Sequence, residues 1–303
     1  MEKIKPWIAA ARLRTLPLSV SGIIIGSCLA YYNGAFNITI FILALLATIS
    51  LQVLSNLAND YGDGVKGTDN DERIGPERAI QSGKITPDEM FAAIRMNILI
   101  VILFVFLLIY SSFGSQHFLY AMLFFVLGAI SIFAALKYTI GESAYGYRAL
   151  GDIMVFLFFG LLSVVGTYFL YAKQLDHVLF LPACAIGLLS TGVLNLNNMR
   201  DIESDTNSNK ITVAVKLGLK KAKRYHTILV MGAIVLSLLF GILYYRSITN
   251  FVFVIAFIPL IRHLVAVLKA KDTKSLDPQL KVLALSTFLL AILLGIGQII
   301  HIL

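Results

Sequence analysis

Two short stretches of this chain carry oxygen-bearing side chains at helical spacing. The first, NLANDYGDGVKGTDNDE at 56–72, holds Asp60, Asp63, Asp69, Asp71 and Glu72, five of the seventeen acids in 303 residues. The second, NNMRDIESD at 197–205, holds Asp201, Glu203 and Asp205. Asn59 and Asp63 stand four residues apart, as do Asn56 and Asp60, and the series Asn197, Asp201, Asp205 repeats the interval twice. Side chains so spaced share one face of a helix, with Cβ atoms about 5–6 Å apart. Carboxylates held that close repel one another unless a cation offsets them. Mg²⁺, or alternatively Mn²⁺, suits such a ladder: a hard ion takes oxygen ligands, typically one or two carboxylates plus the phosphates of a substrate. Two facing ladders would hold ions around a diphosphate. Asn59, Asp60, Asp63, Asp69, Asn197, Asp201 and Asp205 are the candidate metal ligands. Lys66, Arg73, Arg78, Arg200 and Lys210, which stand beside them, are candidate contacts to the remaining phosphate oxygens. Asp71, Glu72, Glu77 and Glu203 read as solvated loop acids.

The elements that must position these ladders follow from composition. The chain is 58% hydrophobic and 14% charged, with a mean hydropathy of +0.83, whereas soluble domains carry about 25% charged residues. Apolar runs long enough to cross a ~30 Å hydrocarbon core recur throughout. They are too long and too continuously apolar for barrel strands, so an all-α polytopic membrane protein is expected. Nine spans are predicted, near 16–32, 38–58, 90–112, 118–139, 149–171, 178–199, 226–244, 250–268 and 282–302. The whole chain, 1–303, reads as one integral-membrane domain. Its acid-bearing loops cover 59–89 and 200–225, and no cleavable leader is evident. Cys28 and Cys184 lie inside apolar runs and read as small buried side chains rather than a disulfide or a metal site.

Cations sort by side. Lys3, Lys5, Arg12 and Arg14, then Lys66, Arg73, Arg78 and Lys84, then Lys137 and Arg148, then Arg200, Lys210 and the lysines that follow, fall on one face. Lys173 and Arg246 stand on the other. The positive-inside rule puts the N-terminus and the long loops in the cytoplasm. Both acid ladders then lie at the cytoplasmic ends of the second and sixth spans. The net charge of +8 is accounted for by this asymmetry, so no nucleic-acid partner is expected.

With these residues in view, the sequence resembles the UbiA-type intramembrane aromatic prenyltransferases. That family has nine helices and two aspartate-rich motifs, Asn-x-x-x-Asp-x-x-x-Asp and Asp-x-x-x-Asp. The second matches at Asp201 and Asp205. The first matches at Asn59 and Asp63, but its third position falls on Gly67, with Asp69 two residues later. That departure, together with RIGPERAIQSGKIT, ARLRTLPLSVSGIIIGS and YGYRALGDIMVFLFFG, is similar to the naphthoate-prenylating branch of the family. One stretch differs from the branch: Asn209 stands where a glycine usually precedes Lys210.

The resemblance implies a UbiA-like bundle and transfer of a polyprenyl group from its diphosphate to an aromatic acid, with carbon dioxide lost from a naphthoate acceptor. Asp63 and Asp201 would be central to catalysis. Lys137 and Tyr138, at the end of the fourth span, are candidates to meet the acceptor. Asp152 either helps Arg148 bind the acceptor's carboxylate or simply pairs with it. A donor with tens of carbons stays in lipid, since each buried methylene contributes about 0.8 kcal/mol. Gly22, Gly26, Gly160, Gly166, Gly187 and Gly192 are candidates for close helix packing or for lining its tunnel. Arg12 and Arg14 read as interface anchors, and Arg262 and His263 as snorkelling or internally paired. The expected partners are the prenyl diphosphate, the aromatic acid and the bilayer of a bacterial cytoplasmic membrane; nothing calls for a protein partner. A 4-hydroxybenzoate acceptor and a cation-coupled transporter are the alternatives. Transporter sites usually sit near the midplane, whereas these acids sit at one boundary beside phosphate-binding cations.

Overall fold

The computed structural model describes residues 4–68 and 74–300. Among them are nine helices long and apolar enough to cross a membrane. They are α1 Ile4–Tyr32, α2 Ile38–Val65, α3 Pro87–Phe113, α4 Phe118–Lys137, α5 Gly151–Ala172, α6 His177–Arg200, α7 Leu219–Leu243, α8 Ile248–Lys269 and α9 Lys274–Ile299. α1 is interrupted by a 3₁₀ turn at Leu13–Thr15, where Arg12 takes a left-handed backbone with φ 50°. Two short helices, Ile202–Asn207 and Val213–Leu217, follow α6.

Several helices outrun the apolar stretches that predict them. α2 continues to Val65 rather than stopping near 58, and α7 and α9 start seven or more residues early. A helix ends where its backbone groups find other partners, not where the side chains turn polar. The extra turns of α2 therefore carry Asn59, Asp60 and Asp63 on regular helix. At the other ends, local chemistry fixes the starts. Asn37 accepts from the amides of Thr39 and Ile40 to cap α2. Thr86 and Glu89 form a reciprocal capping box on α3, with Pro87 in the first turn.

α6 is the most enclosed span and α4 the least. α6 packs against α5, α7 and α9, α9 lies along α1, and α2 packs on α3 and α4. Leu99, Leu103 and Phe106 of α3 and Phe118, Leu119 and Phe125 of α4 point outward, as lipid-facing side chains should. Away from the acid ladders, α7, α8 and α9 are tied by a buried polar chain. His226 and His263 meet Nε2 to Nε2 at 2.8 Å, and His263 Nδ1 lies 3.0 Å from Gln279 Oε1. His263 is thus internally paired.

α5 is not a regular span. Residues Phe156–Gly166 form a π-helix, a form that is rare and usually limited to single turns. Its wall on α6 is built on glycine. A Cβ at Gly160 would stand 2.7 Å from both the Ala183 carbonyl oxygen and the Gly187 Cα, which are backbone atoms that cannot swing aside. Gly22, Gly26 and Gly187 are likewise at tight helix contacts, Gly192 faces Leu283 and His226, and only Gly166 of the six borders the cavity described below. Gly160→Leu is expected to force α5 and α6 apart. Overpacking costs about 1–3 kcal/mol, so the purified variant should melt several degrees lower. An unchanged melting temperature would refute the close contact.

Candidate active site

Asn59 and Asp63 share the face of α2 that borders a cavity of about 650 Å³. Asn197, Asp201 and Asp205 border the same cavity from the end of α6 and the short helix after it. The two ladders therefore converge. What joins them is Lys210, whose Nζ lies 3.3 Å from Asp63 Oδ2 and 3.9 Å from Asp205 Oδ1. Lys210 reaches this point because the chain turns sharply before it. Asn209 has φ 53°, a left-handed conformation that asparagine tolerates better than most residues, so it can stand where glycine is usual. The Lys210 amide then donates to the Asp205 carbonyl at 2.8 Å. Burial alone would depress Lys210; Asp63 and then Asp205 outweigh it and hold the ammonium above its ordinary value.

A residue not among the sequence candidates orients Asp63. The Tyr147 hydroxyl donates to Asp63 Oδ1 at 2.7 Å and lies 2.7 Å from Thr68 Oγ1. The Tyr147 ring lies near two cations, 4.1 Å from Lys66 Nζ and 5.4 Å from Lys210 Nζ. Burial and the Asp63 charge raise the Tyr147 phenol above its usual value, so it stays a donor. Tyr147 belongs to the YGYR stretch that carries the branch resemblance, which was the available signal. Tyr138 borders the cavity and meets Tyr145 edge to face at 5.3 Å. Burial and then Asp63 keep the Tyr138 phenol protonated well above the usual range.

Other candidates stand elsewhere. Asp60 is buried and turned away from the cavity, which it does not border; its Oδ2 accepts from the Ala79 amide at 3.3 Å. Lys66 donates to the carbonyls of Thr139 and Gly141 at 2.8 and 2.9 Å, closing the end of α4; burial lowers its basicity. Arg78 borders the cavity. Arg200 does not. It is 1% exposed and bonded to Asp201, Asp277 and Asn197. Lys137 ends α4 beside Gly141, outside the cavity lining. Arg148 is exposed and pairs by backbone with Ile211. Asp152 is buried and hydrogen-bonds Tyr225 rather than Arg148. Asp69 and Arg73 lie outside the described residues. Arg12 and Arg14, read as interface anchors, border the cavity instead, as does Lys281 of α9.

The cavity has two characters. Its mouth carries the acids, Lys210, Arg78 and the arginines of α1. Its other limb runs into the membrane between α3, α4 and α5, past Val105, Leu108, Phe124, Leu127, Phe159 and Leu162. From Tyr138 back to Phe124 along α4 the limb descends about 20 Å at 1.5 Å per residue.

The oxygen donors at the mouth suit a hard divalent ion. Among the described residues, no three Asp, Glu, His or Cys side chains converge tightly enough to hold an ion unaided. That pattern suits Mg²⁺, whose shell is commonly completed by water and substrate phosphate. Tyr147→Phe is expected to leave the protein folded while lowering turnover about tenfold, as loss of one hydrogen bond to a charged group (about 1.5 kcal/mol) implies. A variant as fast as the parent would remove Tyr147 from the site.

Comparison with known proteins adds lineage to this geometry. Residues 19–296 match the model of the UbiA prenyltransferase family. A protein of Haemophilus influenzae named 1,4-dihydroxy-2-naphthoate octaprenyltransferase is 42% identical over 301 residues, covering 99% of this chain and 97% of that one. Among solved structures, a UbiA homolog from Aeropyrum pernix has a TM-score of 0.71 at 17% identity, covering 96% of this chain and 99% of that one. A UbiA homolog from Archaeoglobus fulgidus bound to DMAPP and Mg²⁺ has a TM-score of 0.59 at 13% identity, with the same coverage.

Proposed function

The chain belongs to the UbiA prenyltransferase family, and we propose that it transfers a polyprenyl group from polyprenyl diphosphate to 1,4-dihydroxy-2-naphthoate with loss of carbon dioxide. The observation that carries this reading is the single cavity joining a charged mouth to an apolar limb. A lipid-soluble diphosphate ester needs both ends. The relative named for the naphthoate acceptor, at 42% identity over nearly the full length, supports the choice of acceptor.

In this reading the prenyl tail lies along the limb between α4 and α5, and the diphosphate meets Lys210 and Arg78 at the mouth. Asn59, Asp63, Asn197, Asp201 and Asp205 would hold Mg²⁺. The ion, when bound, offsets charge developing on the leaving diphosphate. Tyr147 and Lys210 keep Asp63 aimed at the mouth. The C–O bond to diphosphate breaks and the allylic carbon becomes cation-like. The apolar wall excludes water, and a ring carbon made electron-rich by the acceptor's hydroxyls forms the new C–C bond. Carbon dioxide leaves the ring in place of a proton, its bonding pair returning to the ring. No general base is then needed inside the limb. The product is the quinol form of demethylmenaquinone. The cluster of Arg12, Arg14 and Lys281 on the cavity wall offers charge to an anionic substrate, a role expected of Arg148 from sequence.

The test is an assay of purified protein with one prenyl diphosphate and a panel of aromatic acids, reading products by mass. The naphthoate should be prenylated with release of one carbon dioxide. Asp63→Asn and Asp201→Asn should each lose at least a hundredfold in rate while staying folded, as removal of a key charge-stabilising group typically does, and excess chelator should stop turnover. Preference for 4-hydroxybenzoate, or an undiminished rate in chelator, would overturn the reading.

We place the polar mouth at the cytoplasmic face of a bacterial inner membrane, on the strength of the cation asymmetry. A reporter fused after residue 303 should then read as external, and one inserted at 208 as cytoplasmic. The opposite pattern would invert the topology.

A further inference from the structure

Arg200 is a buried arginine between two carboxylates. Its Nε and Nη2 donate to Asp201 Oδ1 and Oδ2 at 2.8 and 2.6 Å, and Nη1 donates to Asp277 Oδ1 at 2.6 Å. Nη2 also donates to Asn197 Oδ1 at 2.9 Å. The Arg200 side chain is 1% exposed, Asp201 6% and Asp277 38%. Asp201 and Asp277 both border the cavity; Arg200 stands behind them. Sequence places Arg200 next to Asp201, and its adjacency suggests a phosphate contact. The structure uses four of its five donors on protein oxygens instead.

The charge count of this group matters. A guanidinium is permanently positive. Paired with Asp201 alone it would cancel that carboxylate and leave a neutral unit, a poor holder of a cation. Asp277, brought in from the first turn of α9, returns one net negative charge to the group. The fork also fixes direction. A carboxylate has about four acceptor sites, and two parallel bonds to one guanidinium set its plane. The Nη2 bond to Asn197 sets that amide too, so one arginine orients two residues of the α6 ladder.

We propose that Arg200 and Asp277 are positioning residues for the metal-bound diphosphate: Arg200 aims Asp201 and Asn197, and Asp277 restores the negative charge that Arg200 removes. This rests on the reading that Asp201 holds the cation. Asp277 acts through charge and Arg200 through geometry, so two mild substitutions separate them. Asp277→Asn keeps an acceptor for Nη1 and loses only charge. Arg200→Lys keeps charge and loses the planar fork.

The test uses the full-length chain in detergent, with Mn²⁺ as the probe. Free Mn²⁺ is titrated by electron paramagnetic resonance in the presence of inorganic diphosphate, alongside Mg²⁺-dependent kinetics and melting. Asp277→Asn is expected to raise the Mn²⁺ midpoint on the order of tenfold, the effect of one charge at short range in a partly wet site. Its melting temperature should stay near the parent's. Arg200→Lys is expected to lower the maximal rate even at saturating Mg²⁺. A Mn²⁺ midpoint unchanged in Asp277→Asn, or a lower melting temperature with an unchanged midpoint, overturns the inference. Asp201→Asn separates the two levels. If it still binds Mn²⁺ like the parent, the reading of the site falls and this inference with it. If it loses binding while Asp277→Asn does not change, only this inference falls.

Discussion

Asp63 ends one membrane helix and Asp205 follows another, and both are withdrawn from bulk water. Like charges in such a place are mutually destabilising unless a cation lies between them. Lys210 supplies that cation, 3.3 Å from one and 3.9 Å from the other. The interaction ties the α2 side of the bundle to the segment after α6. It also explains features that otherwise look unrelated: the left-handed turn at Asn209, the 2.8 Å backbone bond from Lys210 to Asp205, and the Tyr147 ring beside both lysines. Tyr147 does double duty, since its hydroxyl fixes Asp63 while its ring face favours the ammonium.

A buried network of this kind contributes little to stability in itself, because desolvating charges costs about as much as pairing them returns. Its benefit is placement. Asp63, Asp201 and Asp205 are each held by a named donor, two of them by Lys210 and one by Arg200. A site that must stabilise charge only as it develops gains from groups that need not reorganise.

The sequence revealed the convergence but not the division of labour. Four-residue spacing is a strong signal because it survives in any helix, so Asn59 with Asp63, and Asn197 with Asp201 and Asp205, could be read directly. It is blind to which face looks inward. Asp60 is one residue from Asn59, hence about 100° around the axis, and that rotation sends it to the Ala79 amide instead of the cavity. The same blindness applies to Arg200 and Lys66, whose donors go to protein oxygens. Being beside an acid in sequence does not say whether a cation's donors point to the ligand or to protein oxygens. Asp277 and Lys281 carried no local motif, and only the packing of α9 against α6 brings them in.

The π-helical part of α5 was the least legible element, and it bears on how the apolar limb keeps its shape. Phe158 and Phe159, Leu162 and Ser163, and Gly166 and Thr167 all border the cavity, in pairs four residues apart. On an α-helix of 3.6 residues per turn a four-residue stripe drifts steadily round the axis. A π-helix, with its i→i+5 bonds, has a wider turn that drifts the other way. Joining the two forms in one span, α from Gly151 to Val155 and again from Thr167 to Ala172, keeps the stripe on one side across the membrane. On the far side of the span, Gly160 meets α6 with no room for a side chain. The same segment thus closes the bundle on one face and borders the cavity on the other, joining an apolar limb to a charged mouth.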